Sequence, residues 1–538
     1  MRLLLLLAAA AAKTKYDVVD RDDATTFGIL IDAGSTGSRV HIYQWEKRDF
    51  NTLPPPLSLP LTSERWTERI KPGLSDYNDD AERAARTLVP LIETAKRTLG
   101  NYKHAWSSYP IYVKATAGMR ELPEKKRDAT IDAVRRLLKD NNTCPFDFAN
   151  KEQARVIAGE EEAAYAWVAV NFVDGALLEA TDSPFGTATP SRARGSMEMG
   201  GSSAQISFYK PEQDILAGLF KLQLGGRSHI NIYAHSFLHY GRVSSRRAYW
   251  EYLAKKAGCW TYDGEDPQAA VPCVIEDHCL VGAEPRVHLD QLESVTGQFG
   301  LTPPLHFGPV NANVTIKGTG IRTRDRYARC KDDVRAALFD VRFNQWCEYS
   351  HHGQCAFAGV YQPSLPTGTD FGNFVLLGNY VDLFNMLGLP ETTNVHDMGD
   401  AALKVCGDTD VPFPAKDHHT LSQNELCFVA AYAYETFVSG HGFDARVNFT
   451  TVTETTYNGA TVSVGWQLGA MLYEINALPW SFDAGPNCSV DAGATHGLFL
   501  YTQSSLGGGS VWYAFLGVLV VVLGLAGAFR RRKEGLPN

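Results

Sequence analysis

Two stretches of this sequence hold residues suited to gripping phosphate and a metal ion. The first is Asp32-Ala33-Gly34-Ser35-Thr36-Gly37-Ser38-Arg39; the second is Glu198-Met199-Gly200-Gly201-Ser202-Ser203-Ala204-Gln205. Each opens on a carboxylate and runs through glycines and hydroxyl residues. Glycine reaches backbone angles that other residues avoid, so successive N–H groups can converge on one anion. Hydroxyls add donors, and a carboxylate entering the turn stands where a phosphate-bound cation would sit. Mg²⁺ keeps several of its waters and takes few protein carboxylates, so Asp32 and Glu198 suit an ion held through water. One such turn alone is also an ordinary tight hairpin; two with the same plan point to one shared anionic ligand. No GxxxxGK[ST] sequence occurs, so a lysine-bearing P-loop is excluded.

Two further stretches belong with these. Val113-Lys114-Ala115-Thr116-Ala117-Gly118-Met119-Arg120 reads as a strand ending in a small-residue turn. Thr116 offers a hydroxyl there and Arg120 a planar partner for carboxylate or phosphate; taken by itself, the pattern reads first as a plain strand-to-helix turn. Gly159-Glu160-Glu161-Glu162-Ala163-Ala164 places three acids at the start of a helical run. Acids in a first turn favour the helix dipole, which explains two of them. One is left that can face inward and deprotonate water. His235 and His239 have i,i+4 helical spacing, but no third metal ligand accompanies them, and a structural or surface role is expected.

The elements that must position these groups are legible in outline. Strand patterns fall at Phe27–Ile31, Val40–Gln44, Ile111–Lys114 and Gln205–Tyr209, and helical patterns at Ala81–Thr98, Arg127–Leu138 and Glu160–Val170. Their alternation predicts an α/β architecture. After each glycine turn the chain returns to an alternating strand, so each site is expected to be a β-hairpin with an acid entering the bend. The repeated plan predicts two similar lobes facing one ligand. Leu53–Pro60 and Thr181–Gly195 read as loops.

The chain has 538 residues, enough for two to four domains or lobes, and a net charge of −9, which gives no sign of nucleic-acid binding. Met1-Arg2 followed by an apolar run to Ala12 reads as a signal peptide over 1–15. Val511 to Phe529 is uncharged and followed by Arg530-Arg531-Arg532-Lys533, the pattern of a transmembrane helix over 511–529 with a cytosolic tail over 530–538. Ten cysteines in no paired CxxC pattern, with sequons at Asn141, Asn313, Asn448 and Asn487, agree with an oxidising, lumenal compartment.

Together these motifs resemble the apyrases, or nucleoside triphosphate diphosphohydrolases, a family that includes ecto-apyrases and Golgi nucleoside diphosphatases. Asp32–Arg39 resembles the family's first conserved region, Lys114–Arg120 the second, Gly159–Asn171 the third, Met197–Gln205 the fourth, and Gly465-Trp466-Gln467-Leu468-Gly469 the fifth. Phe357–Pro363 is similar to a further family segment. The Met-Glu-Met wording and the C-terminal anchor are most similar to Golgi-type apyrases, which favours the Golgi over the plasma membrane.

The resemblance implies a two-lobed, actin-like (ribonuclease-H-like) α/β fold with the active site in the cleft. The lobes would span 26–170 and 171–460, with a return segment over 461–505 packing on the first. It implies direct hydrolysis of terminal phosphates of nucleoside tri- and diphosphates with Ca²⁺ or Mg²⁺. Glu162 would activate water, positioned by Ser203 and Gln205, and Asp32 and Glu198 would hold the metal through water. Ser35, Thr36, Gly37, Ser38, Arg39, Thr116, Arg120, Gly200, Gly201, Ser202 and Ala204 would line the phosphates. Tyr380 is a candidate for stacking on the base. Trp466 would support the site by packing between lobes, or serve as plain core. Disulfides Cys347–Cys355 and Cys406–Cys427 are implied as well. Three positions depart from the family: Glu198 stands for Asp, Ala163 for Gly, and Ala204 for Thr, which bears on metal choice and rate. The competing readings are an exopolyphosphatase or kinase of the same fold, and a nucleotide-binding ectodomain that has lost activity. Base preference and oligomeric state leave no mark in the sequence.

Overall fold

The internal echo of the sequence becomes two sheets built to one strand order. The computed structural model describes residues 24–47, 52–53, 60–62, 66–77, 79–177, 192–211, 215, 217–224, 229–258, 273–281, 287–289, 312–318, 322–340, 354–366, 374–412, 421–457, 460–476 and 489–490. The first sheet comprises β1 (Thr25–Gly34), β2 (Gly37–Glu46), β3 (Thr67–Ile70), β4 (Ile111–Ala115) and β5 (Ala154–Val156), in the order β3-β2-β1-β4-β5. The first three strands pair antiparallel, and β4 and β5 add in parallel. Parallel neighbours need crossovers. These are α1 (Ala81–Arg86) and α2 (Val89–Thr98) before β4, then α3 (Ala117–Arg120) and α4 (Glu124–Lys139) before β5. The single helix expected over Ala81–Thr98 is thus two. Pro90 has no N–H to continue a helix but fits the first turn of a new one, where it lies.

After α5 (Gly159–Val173) the plan repeats. The second sheet holds β6 (Ser196–Met199), β7 (Ser203–Tyr209), β8 (Leu219–Gln223), β9 (His229–Leu238), β10 (Phe374–Gly378), β11 (Thr392–Asn394) and β12 (Asn448–Thr451), in the order β11-β12-β10-β6-β7-β9-β8. Within it, β9-β7-β6-β10-β12 reproduces the order and directions of β3-β2-β1-β4-β5. Between the strands and beyond them run α6 (Arg242–Lys256), α7 (Arg324–Arg335), α8 (Asn379–Met386), α9 (Val395–Gly407), α10 (Gln423–Glu435) and α11 (Trp466–Asn476). A small sheet of Cys273–Asp277, Val287–Leu289 and Ala312–Gly318 is inserted in this half.

Each sheet has its own core. Phe27, Ile29, Ile31 and Ala33 of β1 and Val40 and Ile42 of β2 bury against Leu91, Ile92 and Val134. Ala204, Ile206 and Phe208 of β7 bury against Tyr233, Phe237, Phe357 and Phe428. Between the sheets lies α5, whose residues from Glu162 to Phe172 are all buried. A helix apolar on every side belongs in an interior. Trp466, Leu468 and Met471 of α11 share a cluster with Leu30 and Tyr43 of the first sheet and Val375 and Leu377 of the second. Trp466 is thus core, in a cluster that contains residues of both sheets.

Helix α11 lies so close to α5 that a Cβ at Gly469 would stand 1.8 Å from the Tyr165 carbonyl oxygen. Gly469→Ala is expected to cost about 1–3 kcal/mol by overpacking, read as a lowered melting temperature of the purified protein.

By chain contacts, residues 1–48 and 56–480 form one unit and 49–55 with 481–538 another. In the second, Thr52–Leu53 pairs in parallel with Ser489–Val490, so the proline-rich stretch expected to be loop from Leu53 begins in a strand. Cys406–Cys427 is bridged as expected, tying α9 to α10. Cys279–Cys330 is a bridge that the sequence left unassigned. Cys355 is disulfide-bonded; its expected partner Cys347 lies outside the described residues. Cys144 is buried and free. Among the described residues no helix is long and apolar enough to cross a membrane. The expected signal peptide, the 511–529 span and the tail all lie outside them. Asn141 and Asn448 are exposed, as sequons require.

Candidate active site

The two glycine turns are the corresponding bends of the two sheets. In the β1–β2 hairpin Asp32 faces Arg39 across the ladder, and Ser35 and Thr36 make the bend. Gly37 sits at φ +149°, and a Cβ there would meet the Ile70 carbonyl oxygen at 2.4 Å, so this position requires glycine. In the β6–β7 hairpin Glu198 faces Gln205, and the Gly200 N–H closes the bend on the Ser203 carbonyl at 2.9 Å. The bends touch. A Cβ on Gly201 would lie 2.3 Å from Ser35 Oγ and 2.8 Å from Thr36 Cγ2.

Into this junction comes the third acid of the triplet. Glu162 Oε2 accepts from Arg120 Nη2 at 2.6 Å and from Gln205 Nε2 at 3.3 Å. Arg120 Nη2 also donates to Ser203 Oγ at 3.2 Å, and Gln205 Nε2 to Ser203 Oγ at 2.6 Å and Ser236 Oγ at 3.1 Å. The second, third and fourth motifs thus meet in one hydrogen-bonded cluster. The other two acids have structural partners. Glu161 pairs with Arg155 at 2.6 Å and caps α5 by accepting from the Ala158 N–H at 2.9 Å. Glu160 lies 3.6 Å from His235.

Three carboxylates face one another here. Burial, then the charges of Glu162 and Asp32, push the Glu198 carboxyl well above the usual range. Burial raises Glu162 too, against the pull of Arg120. Burial, offset by the bond from Gln467 and reinforced by Glu162, lifts Asp32 to about 7. Asp32 Oδ1 and Glu198 Oε2 are sealed from solvent with no hydrogen-bond partner. Buried charge without a partner is costly, so the pair suits a divalent cation. Among the described residues no group of three or more His, Cys, Asp or Glu is placed to hold such an ion.

Strand alternation sorts the remaining expected residues. Ser203, Gln205 and Ser207 share one face of β7, where Ser207 Oγ donates to the Ala163 carbonyl at 2.8 Å. Ala204 points the other way, so its methyl packs into the second core instead of facing the cluster around Glu162. Ser38 pairs with Ala33, on the face of Val40 and Ile42; its fully buried hydroxyl faces the first core rather than a phosphate. Ala163 packs with Trp167 and Ile232, so its methyl fills core. Tyr380 is also corrected. Its ring is fully buried and stacks on Phe437 at 5.1 Å, leaving no face for a base. His235 and His239 belong to strand β9 and its end, not to a helix. His235 is buried and held to about 4 by desolvation.

Thr36 Oγ1 accepts from Arg69 at 2.9 Å, and Thr116 is buried behind Gly34 and Asp32. Ser202 Oγ donates to Glu121 Oε2 at 2.8 Å; Glu121 Oε1 also takes Ser244 Oγ at 3.0 Å and His239 Nδ1 at 3.1 Å. Glu121, Ser236 and Gln467 are site neighbours that sequence reading missed. Gln467 Nε2 donates to Asp32 Oδ2 at 2.7 Å, so the fifth motif reaches the site through the residue after its tryptophan. The one available signal was that Gln467 adjoins Trp466 in that motif.

Paired glycine hairpins from two sheets of one strand order, closing on a buried carboxylate with an arginine and a glutamine, are an arrangement suited to phosphate chemistry. The chain belongs to the GDA1/CD39 (nucleoside phosphatase) family, whose profile matches residues 18–492, and it is an enzyme that hydrolyses nucleoside phosphates. It is 25% identical over 501 residues to the nucleoside-diphosphatase mig-23 of Caenorhabditis elegans, covering 89% of this chain and 82% of that protein. It is 29% identical over 462 residues to a guanosine-diphosphatase of Candida albicans, covering 82% and 70%. Its fold is similar to that of the nucleoside triphosphate hydrolases from Neospora caninum, with a TM-score of 0.57 at 16% identity over 84% of this chain and 92% of that one.

Proposed function

We propose that the protein is a metal-dependent, apyrase-type enzyme that removes terminal phosphates from nucleoside tri- and diphosphates, with Glu162 as the base that activates water. One observation carries this: Glu162, Arg120, Ser203 and Gln205 form a single buried cluster beside two phosphate-type turns that touch. A phosphoanhydride is protected by its own charge, so catalysis needs that charge neutralised and a water placed in line. The turns supply N–H donors to the phosphates. Burial raises the Glu162 carboxyl and Arg120 opposes that rise, favouring the ionised form that can accept a proton. Gln205 donates from Nε2 to the base and to Ser203, while its Oε1 is buried with no partner and is free to accept from a water. Asp32 and Glu198 would hold the divalent ion. Bound there, it would neutralise phosphate charge and polarise the scissile bond.

The apolar segments over 1–15 and 511–529 support a lumenal, membrane-anchored enzyme of the secretory pathway, with the Golgi favoured. The test is phosphate release by purified protein from ATP, UDP, GDP and inorganic polyphosphate, with Ca²⁺ or Mg²⁺ and after chelation. Activity on polyphosphate with none on any nucleotide would sink the proposal, as would nucleotide hydrolysis indifferent to chelation.

A further inference from the structure

Arg69 lies on β3, in a segment that none of the motifs covers. Across the ladder it is directly opposite Arg39, and Arg39 is directly opposite Asp32. Opposed residues share a face, so both guanidinium side chains rise from the face that carries the Asp32 carboxylate. Like charges directly opposite on paired strands destabilise the pair. Among the described residues neither arginine forms an ion pair. Partial burial, then the charge of Arg39, disfavour the Arg69 cation further. From the second sheet's half of the molecule Arg242 adds a third cation within electrostatic range, and its own charge is committed to Glu425 at 2.7 Å. The charges of Asp32 and Asp382 oppose these. The described donation of Arg69 goes from Nη2 to Thr36 Oγ1, at the tip of the first bend and against Gly201 of the second. The rest of its planar fork is available.

We propose that Arg69 contacts the phosphate chain of the substrate, and that Arg39 and Arg69 together form a clamp whose grip grows with the number of phosphates. This rests on the nucleotide-hydrolase reading above. It explains why two cations are kept face to face at a strand edge: a polyanion between them turns repulsion into two charge-assisted contacts.

The experiment compares wild type, Arg69→Gln and Arg69→Lys. Kinetics are measured with a nucleoside triphosphate and the matching diphosphate, and binding of inorganic tripolyphosphate by calorimetry. Arg69→Gln is expected to raise KM for the triphosphate about tenfold or more, with a smaller rise for the diphosphate, and to weaken tripolyphosphate binding by a similar factor. Arg69→Lys keeps the charge without the fork and should fall between. An unchanged ratio of the two KM values together with unchanged tripolyphosphate binding would overturn the proposal. So would an equal loss of kcat on both substrates with binding intact, because Arg69 would then only brace Thr36. If Arg69→Gln fails to fold, Arg69→Lys decides by the same ratio. Wild type that binds tripolyphosphate through Arg69 yet releases no phosphate from any nucleotide would instead overturn the hydrolase reading.

Discussion

Glu162→Gln is expected to lower kcat by about 10²–10⁴-fold while leaving KM nearly unchanged. The amide keeps the shape and an oxygen to accept from Arg120, which now bonds Glu162 Oε2 at 2.6 Å. It cannot accept a proton from water. On the proposed reading the phosphates are held by the two turns, whose contacts should persist, so the loss falls on the chemical step. Phosphate release by the purified variant measures it, with melting in the presence of nucleotide as the check on binding. Near-normal turnover would remove Glu162 from the role of base and leave the cluster as a structural tie between α5, α3 and β7.

Arg120→Leu is expected to be the most destabilising of these changes. Arg120 and Glu162 are both buried, and their 2.6 Å pair has little solvent to replace it. Removing one member of a buried pair leaves the other uncompensated, at a cost of about 3–5 kcal/mol. The sign of the pH dependence follows from Glu162. Burial already raises its carboxyl, and Arg120 is what opposes that rise. Without Arg120 the folded pKa climbs further above the unfolded one, so the neutral acid is tolerated and the anion is not. The stability of the variant is then present at low pH and is lost as pH rises through the folded value. Thermal melts near pH 5 and pH 8 should show the larger deficit against wild type at pH 8. A deficit independent of pH would mean that the pair contributes by packing rather than by charge.

The parts of this site that could be read from the sequence are those where local chemistry forces local geometry. A carboxylate, glycines and hydroxyls between alternating strands have few folds open to them, and both hairpins formed with Asp32 and Glu198 where expected. The acid triplet divided as helix physics requires: Glu161 caps α5 and Glu162 turns inward. What failed was side-chain direction. Ser38 and Ala204 lie in the right turns on the wrong face, because a strand's period of two overrides membership of a motif. An aromatic ring carries no sign of its depth in the sequence, and α8 buries Tyr380. His235 and His239 matched a helical spacing by chance inside and beyond a strand. Glu121, Ser236 and Gln467 were illegible because their roles arise from long-range contacts, with Gln467 and Asp32 lying 435 residues apart in the chain.

The contact between Gly201 and the Ser35–Thr36 bend has a consequence for what defective forms of this enzyme look like. Even one methyl at position 201 would act as a spacer, pressing on the side chains of Ser35 and Thr36 at the tip of the first bend. Such a molecule would still offer the first bend to a nucleotide but would hold the phosphorus out of reach of Glu162 and Gln205. Gly201→Ala is therefore expected to remain folded and protected by nucleotide in a melting assay while releasing little phosphate. A silent enzyme with every reactive side chain in place would owe its silence to the width of a gap.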